Sequence, residues 1–232
     1  MAKIYKYYLL ALTMIILDQV VKMAIHTNMN LYEEINVIGE WFRLHYILNE
    51  GIAFGMKIDW EYSKLILTLF RLIASGAGVY LIFKYAKQGV HTGALYAGSL
   101  ILAGAIGNLI DSMFFGILLD NAPYDAPFPL FYGQVIDMLY FPLFEFNWPG
   151  WLPVIGGNRF QFFSAIFNVA DSSIFIGVCI LLIWQKKFFP ELATDEVAST
   201  YDDETTLSNE DEIHEKHNEV TSEQEANVKS SI

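Results

Sequence analysis

Phe167-Asn168-Val169-Ala170-Asp171 is the stretch on which the reading of this chain turns. It sets an amide and a carboxyl group about one turn inside the last long apolar segment. An ionisable side chain in hydrocarbon is costly, and it persists where function requires it. A second acid, Asp137, stands just upstream in Gly133-Gln134-Val135-Ile136-Asp137. The two carboxyl groups are read as a catalytic pair, which the rest of the chain holds, covers and feeds.

Composition sets the surroundings of that pair. The 232 residues are 54% hydrophobic and 16% aromatic, with a mean hydropathy of +0.34. That is too apolar for an ordinary soluble domain of this length. The net charge of −12 is unevenly spread. Residues 1–190 carry 13 acids and 12 bases, whereas residues 191–232 carry 13 acids against Lys216 and Lys229. The chain is a nearly neutral apolar body of residues 1–190 followed by an acidic tail, 191–232, expected to be disordered. It has no basic face, which argues against nucleic acid as a partner. The single cysteine, Cys179, lies in an apolar run and reads as a small buried hydrophobe.

Four apolar segments are long enough to span a bilayer: about 7–25, 63–84, 92–115 and 162–184. The expected fold class is therefore an all-α membrane protein of four transmembrane helices. The segment from Glu33 to Met56 adds a small β-rich element at the membrane surface, because β-branched and aromatic residues alternate there with Gly39, Gly51 and Gly55. In the first helix, Asp18 and Lys22 share a face at i,i+4, with the acid ahead of the base. They read either as a structural ion pair or as a contact to substrate head groups. Arg71, in the second span, faces other helices or snorkels to a polar layer. In the third span, Gly104, Gly107, Asn108 and Asp111 fall on one face. The glycines let a neighbouring helix approach, and Asn108 is free to hydrogen-bond across the contact. Ser164, Asn168 and Asp171 share a face of the fourth span. Residues 117–160 hold six of the seven prolines and many aromatic residues, and are expected to fold back on the membrane surface.

Lys3, Lys6, Lys84, Lys87, Lys186 and Lys187 flank the helix ends on one side. The positive-inside bias puts that side, with both termini, in the cytoplasm. Asn49, Asp111, Asp137 and Asp171 then lie together near the outer face. Two carboxyl groups in low dielectric do not both ionise easily and titrate as a pair. Such a pair suits water attack on an amide: one member takes a proton from water while the other hydrogen-bonds the scissile carbonyl. No Ser-His, Cys-His or metal-ligand set competes, so neither a metal nor another cofactor is expected.

Five motifs then occur in order: Asp18-Gln19-x-x-Lys22, Asn49-x-Gly51-x-Ala53-Phe54, Gly104-x-x-Gly107-Asn108-x-x-Asp111, Gly133-x-Val135-x-Asp137 and Phe167-Asn168-x-Ala170-Asp171. With the four-span plan, the chain from about residue 7 to 187 resembles the bacterial lipoprotein signal peptidases, signal peptidase II. The resemblance implies an aspartic endopeptidase of the bacterial cytoplasmic (inner) membrane. It implies cleavage of the signal peptide from prolipoproteins, just before a diacylglyceryl-modified cysteine. The implied partners are diacylglyceryl-prolipoproteins and membrane lipids, and the expected state is a monomer. By matching motifs, Asp137 and Asp171 are the catalytic dyad. Asn49, Gly51, Asn108, Asp111 and Asn168 shape the site, and Asp18 and Lys22 form a structural or substrate-facing pair.

Two departures stand out. The family's arginine after the third-helix acid is replaced by Ser112, for which Arg159 is a candidate substitute. Residues 117–132 separate the third-helix motif from Gly133-x-Val135-x-Asp137, which resembles the Bacteroidetes branch. The rival readings are a proton- or ion-coupled transporter, which four spans without an inverted repeat fit poorly, and a non-catalytic membrane scaffold. A peptidase that needs no metal keeps its rate in EDTA; a cleavage assay with and without chelator checks this, and strong inhibition would point to a metal site.

Overall fold

The computed structural model describes residues 4–50 and 62–190. Gly51 and the rest of the Asn49 motif beyond Glu50 lie outside the described residues, as does the acidic tail from residue 191. The chain divides into two units, Met1–Ile183 and Trp184–Ile232. The second is described only over its first residues, where α6 (Gln185–Phe188) carries Lys186 and Lys187.

In the first unit, apolar length makes the helices. α1 (Tyr5–Asn28), α2 (Ser63–Lys87) and α3 (Thr92–Ile110) form where the first three spans are expected. α3 runs on through a π-helical turn, Asp111–Phe115, into a short α4, Gly116–Leu118. Three helices are long and apolar enough to cross a membrane: Tyr5–Asn28, Ser63–Lys87 and Thr92–Leu118. The last apolar helix, α5 (Val169–Ile183), has 15 residues.

The expected start of that helix at Phe162 is wrong, and with it the placing of Ser164 on a helical face. Residues Arg159–Phe162 form strand β5 and Ile166–Phe167 form β6. The helix begins only after Asn168, where a side chain with an acceptor oxygen caps the first turn. Phe160, Phe162, Phe163 and Phe167 are apolar enough to extend a hydropathy window, but Phe160, Phe162 and Phe167 lie in strands and Phe163 turns the chain between them with a positive φ.

The all-α expectation is also too narrow. β1 (Glu34–Ile38), β2 (Phe42–Asn49), β3 (Val135–Tyr140) and β6 make an antiparallel sheet in the order β1-β2-β3-β6. β4 (Phe144–Asn147) pairs with β5 in a separate ribbon. Asp137 therefore sits on a strand. In the β2–β3 register Asn49 lies opposite Val135 and Ile47 opposite Asp137. Opposed residues share a face, so Asn49 is the diagonal neighbour of Asp137.

Residues 117–132 return onto the end of α3. Asn121 closes the excursion like a strand partner, accepting from the Gln134 amide and donating to its carbonyl. The Phe131 and Gly133 amides then donate to the carbonyls of Met113 and Ser112 in the π turn. Beneath the sheet, Ile25, Met29, Tyr46, Phe115, Ile136 and Met138 form one apolar cluster.

α3 and α5 touch through backbone. A Cβ on Gly104 would run into the Ala170 carbonyl oxygen, and one on Gly107 would come within 2.8 Å of Asp18 Oδ2. The small-residue reading of these glycines holds because each gap is already filled by a neighbour's polar atom. Gly104→Val forces these helices apart and should cost about 1–3 kcal/mol. A thermal melt in detergent would register the loss as a lowered midpoint.

Candidate active site

The site is built from Asn168 outward. Its Oδ1 accepts from the Asp171 amide at 2.8 Å, and its own amide donates back to Asp171 Oδ2 at 3.3 Å. This is a reciprocal capping box, with the acid three residues after the cap. Asp18 of α1 completes the cap, its Oδ1 accepting from the Ala170 amide at 2.8 Å. The helix that carries Asp171 thus starts where it does because two side chains satisfy amides that have no intrahelical partner.

Asn168 also reaches across the site. Its Nδ2 donates to Asp137 Oδ1 at 2.7 Å, to Asn108 Oδ1 at 3.1 Å and to the Ile136 carbonyl at 3.3 Å. Asn49 Nδ2 donates to Asp137 Oδ2 at 2.9 Å. Asn108 Nδ2 donates to Asp171 Oδ1 at 2.7 Å. One buried amide therefore bonds both carboxyl groups, Asp137 through its side chain and Asp171 through its backbone. Asp137 is 1% exposed, whereas Asp171 is half-buried.

Behind this layer stands a buried charge cluster. Lys22 Nζ lies 2.8 Å from Asp18 and 2.7 Å from Asp111, and donates to Asn108 Oδ1 at 3.0 Å. Asp111 also accepts from Gln19 at 2.9 Å and from the Ile136 amide at 3.4 Å. Asp18 and Lys22 form the ion pair that their spacing allows. Both are fully enclosed, and their partners are protein groups.

Burial, then the charge of Asp171, pushes the Asp137 carboxyl up to about 7 from an ordinary 3.8. Hydrogen bonds from Asn49 and Asn168, and the Lys22 charge, pull the other way.

Ser112 is fully buried. Its Oγ donates to the Asn108 carbonyl at 2.9 Å and accepts from Arg71 Nη1 at 2.8 Å. The candidate substitute, Arg159, is instead exposed on β5 of the separate ribbon. The guanidinium at Ser112 comes from α2.

Sequence reasoning missed the stripe to which Arg71 belongs. Lys64, Thr68, Arg71 and Ser75 recur at helical spacing on α2. Lys64 Nζ donates to the Glu50 carbonyl at 2.7 Å, at the end of the strand that presents Asn49. Thr68 donates to the Phe131 carbonyl at 2.9 Å. Four polar residues on one face of an apolar helix were the available signal. Among the described residues no three His, Cys, Asp or Glu side chains gather as a metal-ligand set.

Fold and site together define a helical membrane protein with an enclosed, amide-bridged pair of carboxyl groups at the junction of helix and sheet. Comparison with known proteins makes this specific. The family described as Signal peptidase (SPase) II matches residues 10–187. A lipoprotein signal peptidase of Amoebophilus asiaticus is 41% identical over 184 residues, covering 78% of each chain. One from Porphyromonas gingivalis is 39% identical over 211 residues, covering 82% of this chain and 92% of its own. A solved bacterial membrane enzyme, determined by the in meso method at 2.3 Å resolution, superposes with a TM-score of 0.53 at 28% identity. It covers 80% of this chain and 90% of its own. The chain belongs to the signal peptidase II family of peptidases.

Two outcomes follow from the geometry. Asp111→Asn removes a carboxylate from a fully buried lysine and should cost about 3 kcal/mol; a detergent melt of the variant beside the wild type measures it. Asp137 binds its proton more tightly folded than unfolded. Its contribution to stability is full below about 3.8 and is lost as pH rises through about 7. The melting point of the wild type relative to Asp137→Asn should therefore fall across that window, and a flat difference would contradict the raised value.

Proposed function

We propose that this chain is an aspartic endopeptidase that removes the signal peptide from prolipoproteins by cleaving before the diacylglyceryl-modified cysteine. Asp137 and Asp171 are its catalytic dyad. The observation that carries the assignment is the Asn168 bridge, which holds two carboxyl groups from different elements in one network. Family membership supplies the reaction class.

The chemistry follows from the difference between the two environments. Asp137, enclosed and raised to about 7, holds the shared proton near neutrality. Asp171, half-buried in the first turn of α5, takes the part of the base. Asp171 takes a proton from water as the oxygen attacks the scissile carbonyl carbon. Asp137 hydrogen-bonds the carbonyl oxygen as it gains charge. Collapse breaks the C–N bond, and a proton passes to the leaving nitrogen of the modified cysteine. Asn49, Asn108 and Asn168 hold the dyad throughout, and Gly51 is assigned with them on its motif alone. Asp111, with Asp18 and Lys22, anchors them from behind.

We read α5 as the fourth span, with both termini cytoplasmic and the site near the outer face of the bacterial inner membrane. Residues 1–190 are then the peptidase domain and 191–232 a cytoplasmic tail. At 1.5 Å per residue the 15 residues of α5 reach only about 22 Å, short of a hydrocarbon layer of about 30 Å. The first turn of α5, with Asp171, then lies below the outer surface. That depth suits a monomeric enzyme whose substrate is anchored by acyl chains in the surrounding lipid.

Cleavage of a diacylated prolipoprotein peptide by the wild type, Asp137→Asn and Asp171→Asn tests the assignment. Loss of a general acid or base costs at least about a hundredfold in rate. Near-normal turnover by either variant would end the dyad reading.

A further inference from the structure

Lys64 is a cation in a place that disfavours one. It is the second residue of α2, where the helix dipole opposes positive charge, and it is 5% exposed, where burial opposes any charge. A lysine serving only solubility would extend its ammonium to a polar layer. Lys64 is instead enclosed, and its Nζ donates to the Glu50 carbonyl at 2.7 Å. Among the described residues no carboxylate stands in ion-pair contact with it. Proteins break two local rules at one residue where function requires it.

What this bond holds is the end of a strand. The β2–β3 ladder closes with Asn49 opposite Val135. Glu50 is the next residue, past the last pair, where a strand end frays unless it is tied down. Asn49 is the residue that donates to Asp137 Oδ2 at 2.9 Å. One turn along α2, the fully buried Thr68 donates to the Phe131 carbonyl at 2.9 Å. Phe131 lies just upstream of β3, and its amide donates to the Met113 carbonyl of the π turn. One turn of one helix therefore grips the chain just after Asn49 and just before β3. The diagonal contact between Asn49 and Asp137 depends on the relative placement of those two strand ends. A donor that carries charge makes the stronger bond to a carbonyl, which suits the end with no further ladder to support it.

We propose that Lys64 is a positioning residue for the reaction: by holding the Glu50 carbonyl it fixes the end of β2 and so keeps the Asn49 amide on Asp137. The proposal rests on reading Asp137 and Asp171 as the dyad. Thr68 supplies the matching grip on the approach to β3.

The test joins kinetics to amide hydrogen exchange, on the full-length enzyme in detergent with a diacylated prolipoprotein peptide as substrate. Lys64→Met removes the donors and little of the side-chain length. It should lower kcat about tenfold to a hundredfold, the cost of a small misplacement in a catalytic site, with KM changed less than about threefold. Amide exchange over residues 42–50 should quicken, while α1 exchanges as in the wild type. Asn49→Ala should lose kcat to a similar extent with exchange of residues 42–50 left slow. Normal kcat in Lys64→Met, a change confined to KM, a loss that only follows the folded fraction in a melt, or a loss with residues 42–50 exchanging as in the wild type would each overturn the proposal. Wild-type kcat in Asn49→Ala would overturn it too, because Lys64 would have nothing to act through. If Lys64→Met does not survive extraction, Lys64→Gln, whose donor sits one atom closer to the backbone, replaces it under the same criteria. Asp137→Asn and Asp171→Asn run alongside. Activity in either would defeat the dyad reading itself, whereas inactive dyad variants beside an undisturbed Lys64→Met defeat only the role of Lys64.

Discussion

Lys22 is the point on which the site depends. Its ammonium is fully enclosed between Asp18 and Asp111, with Asn108 Oδ1 as a further acceptor. Each partner then has a second task. Asp18 caps the start of α5, Asp111 holds the Ile136 amide of β3, and Asn108 turns its amide nitrogen to Asp171. Lysine only donates, so the Asn108 oxygen must face it and the NH2 group must face the acid. A buried ion pair is weak evidence for stability, because desolvation cancels much of the attraction. Here its role is specificity: one cation fixes the register of three helices and one strand.

The sequence revealed the parts of this arrangement that lie at short, regular spacing. Asp18 and Lys22 lie one turn apart on α1, and Asn108 and Asp111 share a face of α3. Asn168 and Asp171 stand at capping-box spacing, although a longer apolar run disguised them as mid-helix residues. That disguise produced the error at the fourth helix, since hydropathy does not distinguish Phe160 and Phe162 in a strand from the same residues in a span. Asp137 was legible as an acid beside the membrane. Its placement on a strand, diagonal to Asn49, depends on a pairing between segments far apart in the chain. The polar stripe of Lys64, Thr68, Arg71 and Ser75 was visible in principle. Arg71 was weighed alone, and so the guanidinium for Ser112 was sought at Arg159.

Residues 117–132 show how an insertion is absorbed without disturbing the carboxyl groups. The loop leaves from α4 and returns to the same π turn, where Gly116 and Gly133 allow backbone to pack against backbone. Asn121 clamps Gln134, so the strand bearing Asp137 begins from a fixed point. The extra chain is closed off before β3 starts. The constraint imposed by Lys22 and Asp111 on Ile136 is untouched.

The chemistry turns on Asp137 holding a proton near neutrality in its enclosed position. Infrared titration of the protein in detergent observes this directly, because a protonated carboxyl has a C=O stretch that the carboxylate lacks. The expected result is a protonated-carboxyl component that persists towards neutrality, titrates with a midpoint near 7, and is lost in the Asp137→Asn variant. A spectrum in which every carboxyl has ionised well below neutrality, or in which the component near 7 is unchanged in Asp137→Asn, would contradict it.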